Sequence, residues 1–511
     1  MLFNSYSFIF LFLPVVFALF IVFGRIHYTL AASWLAIASI FFYGWWNIAF
    51  VPLLLASIVF NYGAGYAIAK TRSKPLLIGA IALNLTLLGY YKYANFFISN
   101  MDRFSGLSLH LSDIVLPIGI SFFTFTQIAF LVDGWIGKAK EYRFIHYCLF
   151  VSYFPHLIAG PVLHHGQMMP QFAERTTYRF NWNNIAIGLT IFAIGLFKKT
   201  VLADSIAAYA SPIFDGARDG AQIYFFEAWI GAIAYTLQLY FDFSGYCDMA
   251  IGLSRLFNIK LPLNFHSPYK AVNIIEFWRR WHMTLSRFLR DYLYFPLGGN
   301  RRGLVRRHIN LFITMLLGGL WHGAGWTFVI WGGLHGMYLI INHGWRAVRT
   351  QLGYGKSHWL GRASSILLTF IAVIFAWVFF RAADLRSALY LIESMFGLHG
   401  FSLPESMAGN NIFNGFAGRD VLFAGLLTNI QANTTTVCLW VTTLLAIVWL
   451  LPNTQQIMAS YEPTSDRIAP PLLASALHWH PTRPWIALIA LLFGMGVMEL
   501  GKVSEFLYFQ F

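Results

Sequence analysis

The chain of 511 residues is 58% hydrophobic and only 11% charged, with a formal charge of +14 at pH 7. Soluble globular domains carry about 25% charged residues, so this composition, with a mean hydropathy of +0.60, excludes that class and predicts an integral membrane protein. The basic residues lie between apolar runs, as they do in cytoplasmic loops of membrane proteins, which argues against nucleic-acid binding.

Apolar runs long enough to cross a bilayer as helices recur along the whole chain. The first, at 5–23, exceeds the apolar core of a cleaved signal peptide and predicts a retained span. Arg25 follows it, which suggests an extracytoplasmic N-terminus. In chain order the predicted spans are 5–23, 30–50, 51–69, 76–98, 114–135, 184–203, 224–250, 308–321, 326–344, 364–381, 435–451 and 483–500.

The predicted fold is therefore all-α and polytopic, with roughly a dozen transmembrane helices and additional re-entrant or interfacial helices. Residues 1–511 are predicted to form a single membrane-embedded domain. The widest gap between spans, 382–433, is rich in Gly and Asn after an amphipathic start and predicts an extramembrane loop. The sequence has no internal repeat of the kind that many transporters show.

Three segments interrupt the pattern of plain spanning helices with prolines, glycines and polar residues: 143–172, 262–307 and 315–336. Irregular backbone at membrane depth is tolerated only where protein or a water-filled cavity satisfies its polar groups. We therefore expect the functional site in these segments.

Residues 276–295 combine apolar and basic side chains at helical spacing, which is typical of a helix lying in the membrane interface. The run 298–303 that follows is rich in Gly and Arg. Such turns bind phosphates through backbone N–H groups and guanidinium forks, and the phosphates of coenzyme A or of lipid headgroups would both suit this one. The residues predicted to bind a phosphorylated donor are Arg279, Arg280, Asn300, Arg301 and Arg302.

His282 and His322 are the candidate catalytic residues. His282 falls beside Trp281, close to the apolar side of the 276–295 pattern, and His322 lies in an apolar stretch among glycines. A lone histidine in an apolar segment is often a hydrogen-bonded core residue, but an ionisable residue at membrane depth is a functional hypothesis by default. An ordinary imidazole pKa of about 6.5 allows proton transfer near neutrality. His335, in a Gly-rich run, is a candidate for lining the same cavity.

No metal site is predicted. The three cysteines lie far apart without a CxxC pair. The histidine pairs at 164–165 and 478–480 lack the carboxylates or the HExxH pattern of a metal site. Asp242 and Asp248, within a predicted span, indicate either hydrogen bonding between helices or the lining of a cavity.

Several stretches carry a resemblance to a known family. They are MLFNSYSFIFLFLP at the start, LPIGISFFTFTQIAFLVD at 116–133, FPHLIAGPV at 154–162, FDFSGYCDMAIGLSRLFNI at 241–259, FWRRWHMTLSRFLRDYLYFPLGGNRRG at 277–303, LLGGLWHGAGWTFVIWGGLHG at 316–336 and the C-terminal FLYFQF. Together they resemble the membrane-bound O-acyltransferases, in their bacterial polysaccharide-modifying branch. The likeness covers nearly the whole chain except 382–433. His156 departs from the pattern, where relatives often carry Gln, and receives no family role.

The resemblance implies a helical fold around a central cavity in the bacterial inner membrane. The donor is expected to enter this cavity from the cytoplasm, and the acceptor from outside. It implies His322 as the principal catalytic histidine, His282 as the second, and Tyr508 as a C-terminal tyrosine that carries the acyl group outward. The expected donor is acetyl-CoA, with no bound cofactor. The expected acceptor is an extracytoplasmic polysaccharide such as alginate, cellulose or peptidoglycan, and the expected partner is a secreted or membrane-anchored SGNH esterase-like protein.

The mechanistic hypothesis makes His322 the general base for an acceptor hydroxyl, while His282 or a backbone N–H polarises the thioester carbonyl. The acceptor hydroxyl belongs to Tyr508, to a serine of the partner or to the sugar itself. Two alternatives from other classes are a transporter or flippase for a cell-envelope precursor and a non-catalytic scaffold of a polysaccharide synthase.

Overall fold

The computed structural model describes residues 1–105, 114–139, 143–158, 160–353, 358–408, 421–466, 468, 477–502 and 507. Its helices, in chain order, are α1 (Leu13–Ile26), α2 (Tyr28–Gly44), α3 (Val51–Thr71), α4 (Lys74–Leu88), α5 (Ala94–Ser105), α6 (Ile120–Ile136), α7 (Phe144–Ser152), α8 (Phe154–Leu157), α9 (His165–Ala173), α10 (Trp182–Phe197), α11 (Asp204–Asp219), α12 (Phe225–Leu256), α13 (Ile274–Trp278), α14 (Met283–Leu289), α15 (Gly303–His322), α16 (Trp326–Gln351), α17 (Trp359–Arg381), α18 (Leu385–Met395), α19 (Thr434–Leu450), α20 (Thr454–Ile457) and α21 (Arg483–Met498).

Short segments of other helical types join or flank these helices. The π-helical ones are Phe8–Phe12, Gly89–Tyr93, Lys198–Ala203 and Arg290–Tyr294. The 3₁₀ turns are Ile48–Phe50, Arg175–Tyr178, Pro268–Lys270, Glu405–Met407, Ala459–Tyr461 and Glu499–Gly501. Two strands, β1 (Phe401–Ser402) and β2 (Val421–Leu422), pair in parallel.

Every predicted span contains a helix, so the all-α polytopic prediction is confirmed. In the described part of the chain, six helical stretches are long and apolar enough to cross a membrane, and α2, α6 and α19 are shorter apolar helices. The six are Phe8–Ile26, Ile48–Thr71, Lys74–Asp102, Trp182–Asp219, Trp359–Arg381 and Arg483–Gly501.

The core of the molecule is α12, a helix of 32 residues in which every residue from Ala234 to Leu256 is buried. It packs against α10 through glycines: a Cβ on Gly188 would lie 2.6 Å from the carbonyl oxygen of Gly252, and one on Gly195 would lie 2.7 Å from that of Gly245. Small residues at such crossings let helix backbones approach closely, as is common within membranes. The buried α12 thus forms a rigid support for the elements around it.

Helices α15 and α16 form a tight hairpin. A Cβ on Gly319 would lie 2.2 Å from the carbonyl oxygen of Phe328, and one on Gly332 would lie 2.3 Å from that of Met315. Only glycine fits at either position, so the two helices are in backbone contact near their turn. The turn follows His322 directly, which fixes the place of this histidine in the hairpin.

The continuous interfacial helix suggested by the pattern at 276–295 is instead two short helices, α13 and α14, with a π-helical segment after them. The break lies at His282, whose φ of 42° and ψ of 53° place it in the left-handed region. Apolar spacing alone does not reveal such a break, because the contacts that stabilise it come from residues distant in the sequence.

The described part of 382–433 packs on the end of the α12 core. Thr428 and Asn429 donate backbone and side-chain hydrogen bonds to the buried carboxylate of Glu227, in the first turn of α12. Helix α18 packs against α11 and α12. The single-domain organisation of 1–511 and the extramembrane position of 382–433 stay predictions.

Candidate active site

The break at His282 and the end of α15 bring two histidines together that are 40 positions apart in the sequence. The ring centroids of His282 and His322 are 6.3 Å apart. Both side chains are buried, with 1% and 5% of their surface exposed. The two residues singled out by the sequence therefore share one site.

The orientation of His282 is set by Asn264, from the irregular stretch after α12. The Nδ1 of His282 lies 3.1 Å from the Oδ1 of Asn264, and the same oxygen accepts hydrogen bonds from the hydroxyl and backbone N–H of Thr284, at 2.9 and 3.3 Å. The Nδ2 of Asn264 donates to the sulfur of Cys247, which assigns Oδ1 as the acceptor. A neutral His282 therefore carries its proton on Nδ1 and its lone pair on Nε2.

The position of His322 is set by two residues of the π-helical segment Gly89–Tyr93. The ammonium group of Lys92 donates to the carbonyl oxygens of Trp321 and His322, and the hydroxyl of Tyr93 donates to that of Leu320 at 2.8 Å. The last carbonyls of a helix lack partners within the helix, and a cation at this end interacts favourably with the helix dipole. Lys92 and Tyr93 thus fix the end of α15.

Aromatic rings enclose His322 on several sides. The ring of Trp331 lies 5.1 Å from it between centroids and that of Phe380 lies 5.2 Å from it, both edge to face. Trp321 and Phe243 pack on the side of His282. These rings keep the imidazoles in an environment of low polarity, where electrostatic interactions with a reacting group are stronger than in water.

A cavity of about 90 Å³ reaches His322. Lys92 and Ser121 also contribute polar groups to its wall. The rest of the wall includes Trp46, Trp321 and residues 116–120, which lead into α6. His322 is therefore not sealed among packed side chains.

A second, larger cavity of about 660 Å³ lies toward the opposite end of the α15–α16 hairpin. Neither His282 nor His322 lines it, but Met283, beside His282, and Met315, two turns before His322, do. The basic residues of its wall are Arg279, Arg287, Arg290, Arg307 and His343, and its polar residues include Asn300. The arrangement suits a large anionic ligand whose far end approaches the histidine pair.

Only part of the predicted donor-binding set lies at this cavity. Arg279 and Asn300 line it, whereas Arg280 pairs with the carboxylate of Glu276 outside the lining. Arg301 and Arg302 are exposed on the glycine-rich turn and are not part of the lining either. Tyr508 lies outside the described residues, although its neighbour Leu507 is fully buried.

Arg287, Arg290 and Arg307 line the larger cavity but are not among the residues predicted to bind the donor. Arg287 pairs with Asp466 at 2.9 Å, and Arg290 pairs with Asp291 at 2.7 Å. The sequence contains a signal for Arg287 and Arg290, because both belong to the basic pattern at 276–295. Lys92 could also have been found, as an ionisable residue within the predicted span 76–98. No local signal identifies Asn264.

Among the described residues, no group of three or more His, Cys, Asp or Glu side chains could hold a metal ion.

Comparison with known proteins identifies the family of the chain. Residues 136–383 match the family model described as MBOAT, membrane-bound O-acyltransferase family. The chain is 46% identical over 435 residues to a peptidoglycan O-acetyltransferase of Helicobacter pylori, covering 79% of this chain and 81% of that protein.

Two further relatives show the spread of the family. A probable alginate O-acetylase AlgI of Pseudomonas aeruginosa is 42% identical over 420 residues, covering 80% of this chain and 78% of the relative. A teichoic acid D-alanyltransferase of Bacillus subtilis is 26% identical over 275 residues, covering 52% and 68%. The chain, a multi-pass membrane protein and an acyltransferase, belongs to the membrane-bound O-acyltransferase family.

Proposed function

We propose that the protein moves an acetyl group from acetyl-CoA on the cytoplasmic side of the bacterial inner membrane to a hydroxyl, for O-acetylation of an extracytoplasmic polysaccharide such as alginate, cellulose or peptidoglycan. One observation carries the proposal: His322 lines one cavity, while a larger cavity with four arginines lies toward the other end of the same helix hairpin. The printed names of the relatives, a peptidoglycan O-acetyltransferase and a probable alginate O-acetylase, support the class of acceptor.

The distribution of basic residues supports the direction of transfer. Arg301, Arg302 and Arg306 lie at the start of α15, and Arg346 and Arg349 lie in the last turns of α16, at the same end of the hairpin. Lys and Arg collect on the cytoplasmic side of membrane proteins, so the larger cavity faces the cytoplasm. Fifteen residues separate Arg307 from His322 along α15, which is roughly 22 Å at 1.5 Å per residue.

Charge supports a phosphorylated donor at the larger cavity. Of its four arginines, Arg287 and Arg290 are held by aspartates. Within the described residues, Arg279 and Arg307 have no ion pair with a carboxylate. Guanidinium groups are well suited to bind phosphate oxygens in pairs, so these two are assigned to the phosphates of coenzyme A.

In the proposed transfer, the Nε2 or Nδ1 of His322 takes the proton of the acceptor hydroxyl as its oxygen attacks the thioester carbon. The new C–O bond forms, the C–S bond breaks, and the proton passes to the leaving thiolate, which releases coenzyme A with a free thiol. Because the Nδ1 proton of His282 is directed to Asn264, a neutral His282 offers only a lone pair at Nε2. Polarisation of the carbonyl therefore needs another donor, such as a backbone N–H of residues 323–325, which follow His322, or His282 when protonated.

The acceptor hydroxyl remains one of three: Tyr508, a serine of an SGNH esterase-like partner, or the sugar itself. All three acceptors require a base close to the hydroxyl and a path to the site from the extracytoplasmic side.

The test is turnover of acetyl-CoA by the purified full chain in detergent, measured as release of coenzyme A. We expect His322→Ala to lower the rate by at least about 10²-fold, the lower range for removal of a general base. His358→Ala, at an exposed histidine outside both cavities, is the matched control and should retain the rate.

Both variants should elute as the same monodisperse species as the wild type. An unchanged rate in His322→Ala would remove this histidine from the mechanism. Absence of any turnover in the wild type, with or without polysaccharide, would instead favour the transporter or the scaffold.

A further inference from the structure

His335, on α16, is a buried histidine that the proposed mechanism does not use. It has no exposed surface, and within the described residues neither of its ring nitrogens has a hydrogen-bond partner. Buried polar atoms are nearly always paired, by protein, by water or by a ligand. An imidazole with both nitrogens unpaired therefore indicates a missing partner.

His335 lies between the two cavities. Its ring centroid is 5.1 Å from that of Trp278, which lines the larger cavity, and 4.8 Å from that of Trp331. Trp331 in turn is 5.1 Å from His322, which lines the smaller cavity. Four rings in series thus connect the arginine-lined cavity with the proposed general base.

The polar edges of these rings share one property. The indole nitrogens of Trp278 and Trp331 are also buried and, in the described part of the chain, have no hydrogen-bond partner. An indole nitrogen only donates hydrogen bonds, and a neutral imidazole always has one N–H. An acceptor, such as a carbonyl oxygen, would therefore pair with the N–H groups of this cluster.

We propose that His335, Trp278 and Trp331 form the subsite for the acyl group of the thioester, in which an N–H of the cluster donates to the carbonyl oxygen. This rests on the proposed function, since it takes the larger cavity as the entry of the donor. The surrounding walls are the ring of Phe277, parallel to His335 at 6.0 Å, and that of Trp377.

The test compares binding of two probes to the full chain in detergent by calorimetry. One is free coenzyme A, and the other is a coenzyme A analogue in which the acetyl thioester is replaced by an unreactive methyl ketone. The wild type should bind the ketone more tightly than free coenzyme A. His335→Phe keeps the ring and its stacking but removes both nitrogens, so it should weaken ketone binding about three- to tenfold, the value of one neutral hydrogen bond, with free coenzyme A unchanged.

Trp278→Phe provides a second variant, in case His335→Phe does not fold, and should reduce the preference for the ketone in the same direction. Tyr338→Phe is the control, because Tyr338 also packs on His335 but lies outside the series of rings. An unchanged ketone preference in the His335 and Trp278 variants would overturn the subsite, and would indicate that a water molecule pairs these nitrogens. Failure of the wild type to bind free coenzyme A would instead contradict the proposed function.

Discussion

At position 282, a histidine adopts a left-handed backbone conformation, with φ at 42°. Residues with a Cβ seldom adopt this region, at a cost of about 1–3 kcal/mol. The surroundings offset that cost, because Asn264 accepts from the Nδ1 of His282 and from Thr284 on the far side of the break. The break ends one helix and starts another, so the imidazole is held by backbone geometry as well as by its hydrogen bond.

The two arginines at 279 and 301 provide a test of which basic residues bind the donor. Arg279 lines the larger cavity, whereas Arg301 is exposed on the turn and does not. Arg279→Ala should raise the KM for acetyl-CoA by at least about tenfold, since a hydrogen bond to a charged group contributes about 1.5–3 kcal/mol.

Arg301→Ala removes the same charge and serves as the control, with an expected change below about twofold. The measurement is the initial rate of coenzyme A release against donor concentration. Equal effects of the two substitutions would show that the donor responds to the net charge of this face rather than to the cavity.

Sequence reasoning could find the chemistry at single positions but not its supports. His282 and His322 are recognisable because an ionisable residue at membrane depth is a functional hypothesis by default. Asn264 lies in a segment whose composition is ordinary for a loop. Its role arises from folding, which brings it opposite His282, and no spacing in the sequence encodes that contact.

At the scale of elements, the π-helical segment Lys198–Ala203 is the clearest example of local geometry set by charge. Its two lysines both pair with acidic side chains: the ammonium of Lys198 lies 2.8 Å from Asp248, and that of Lys199 lies 2.6 Å from Asp242 and 2.7 Å from Asp204. A π turn changes the rotation between consecutive residues and is frequent where side chains must be re-aimed. Here it joins α10 and α11 to the core helix α12.

Lys199→Met should destabilise the fold by about 3–5 kcal/mol, because it leaves the fully buried carboxylate of Asp242 without its cation. The measurement is the midpoint of thermal unfolding of the protein in detergent. The double variant Lys199→Met with Asp242→Leu should recover at least half of the loss, since an apolar pair of similar volume avoids the buried charge.

Asp204 keeps the recovery incomplete, but its side chain is 16% exposed and tolerates the loss better. If the double variant were as unstable as Lys199→Met, or more so, the buried pair would not be the source of the effect.

Elements as such were largely predictable, since each predicted span contains a helix. Hydrophobic runs of spanning length are a strong signal in a membrane protein because the backbone must satisfy its own hydrogen bonds there. The exception is 276–295, where helical spacing of apolar residues persists across a break. The apolar residues on both sides of the break are spaced as they are because they are buried. Burial alone does not show whether the two segments form one continuous helix.

For the whole molecule, the two cavities and the direction of the α15–α16 hairpin could not be obtained from the sequence. Both depend on how the hairpin, α6 and the short helices around His282 assemble. Composition predicts the membrane class, and the assembly places four arginines beside a cavity at one end of the hairpin. The central claim is that the donor enters at this end while the reactive imidazole lies about 22 Å farther along the helix.

The most direct measurement of that claim uses sealed membrane vesicles of both orientations, prepared from cells that produce the full chain. Acetyl-CoA with a labelled acetyl group, which does not cross membranes, is added outside the vesicles, and label bound to protein or polysaccharide is counted together with coenzyme A release. The account predicts transfer in inside-out vesicles, where the arginine-lined cavity faces the donor, and its loss in His322→Ala. Transfer at equal rates in right-side-out vesicles, or an unchanged rate in that variant, would contradict it.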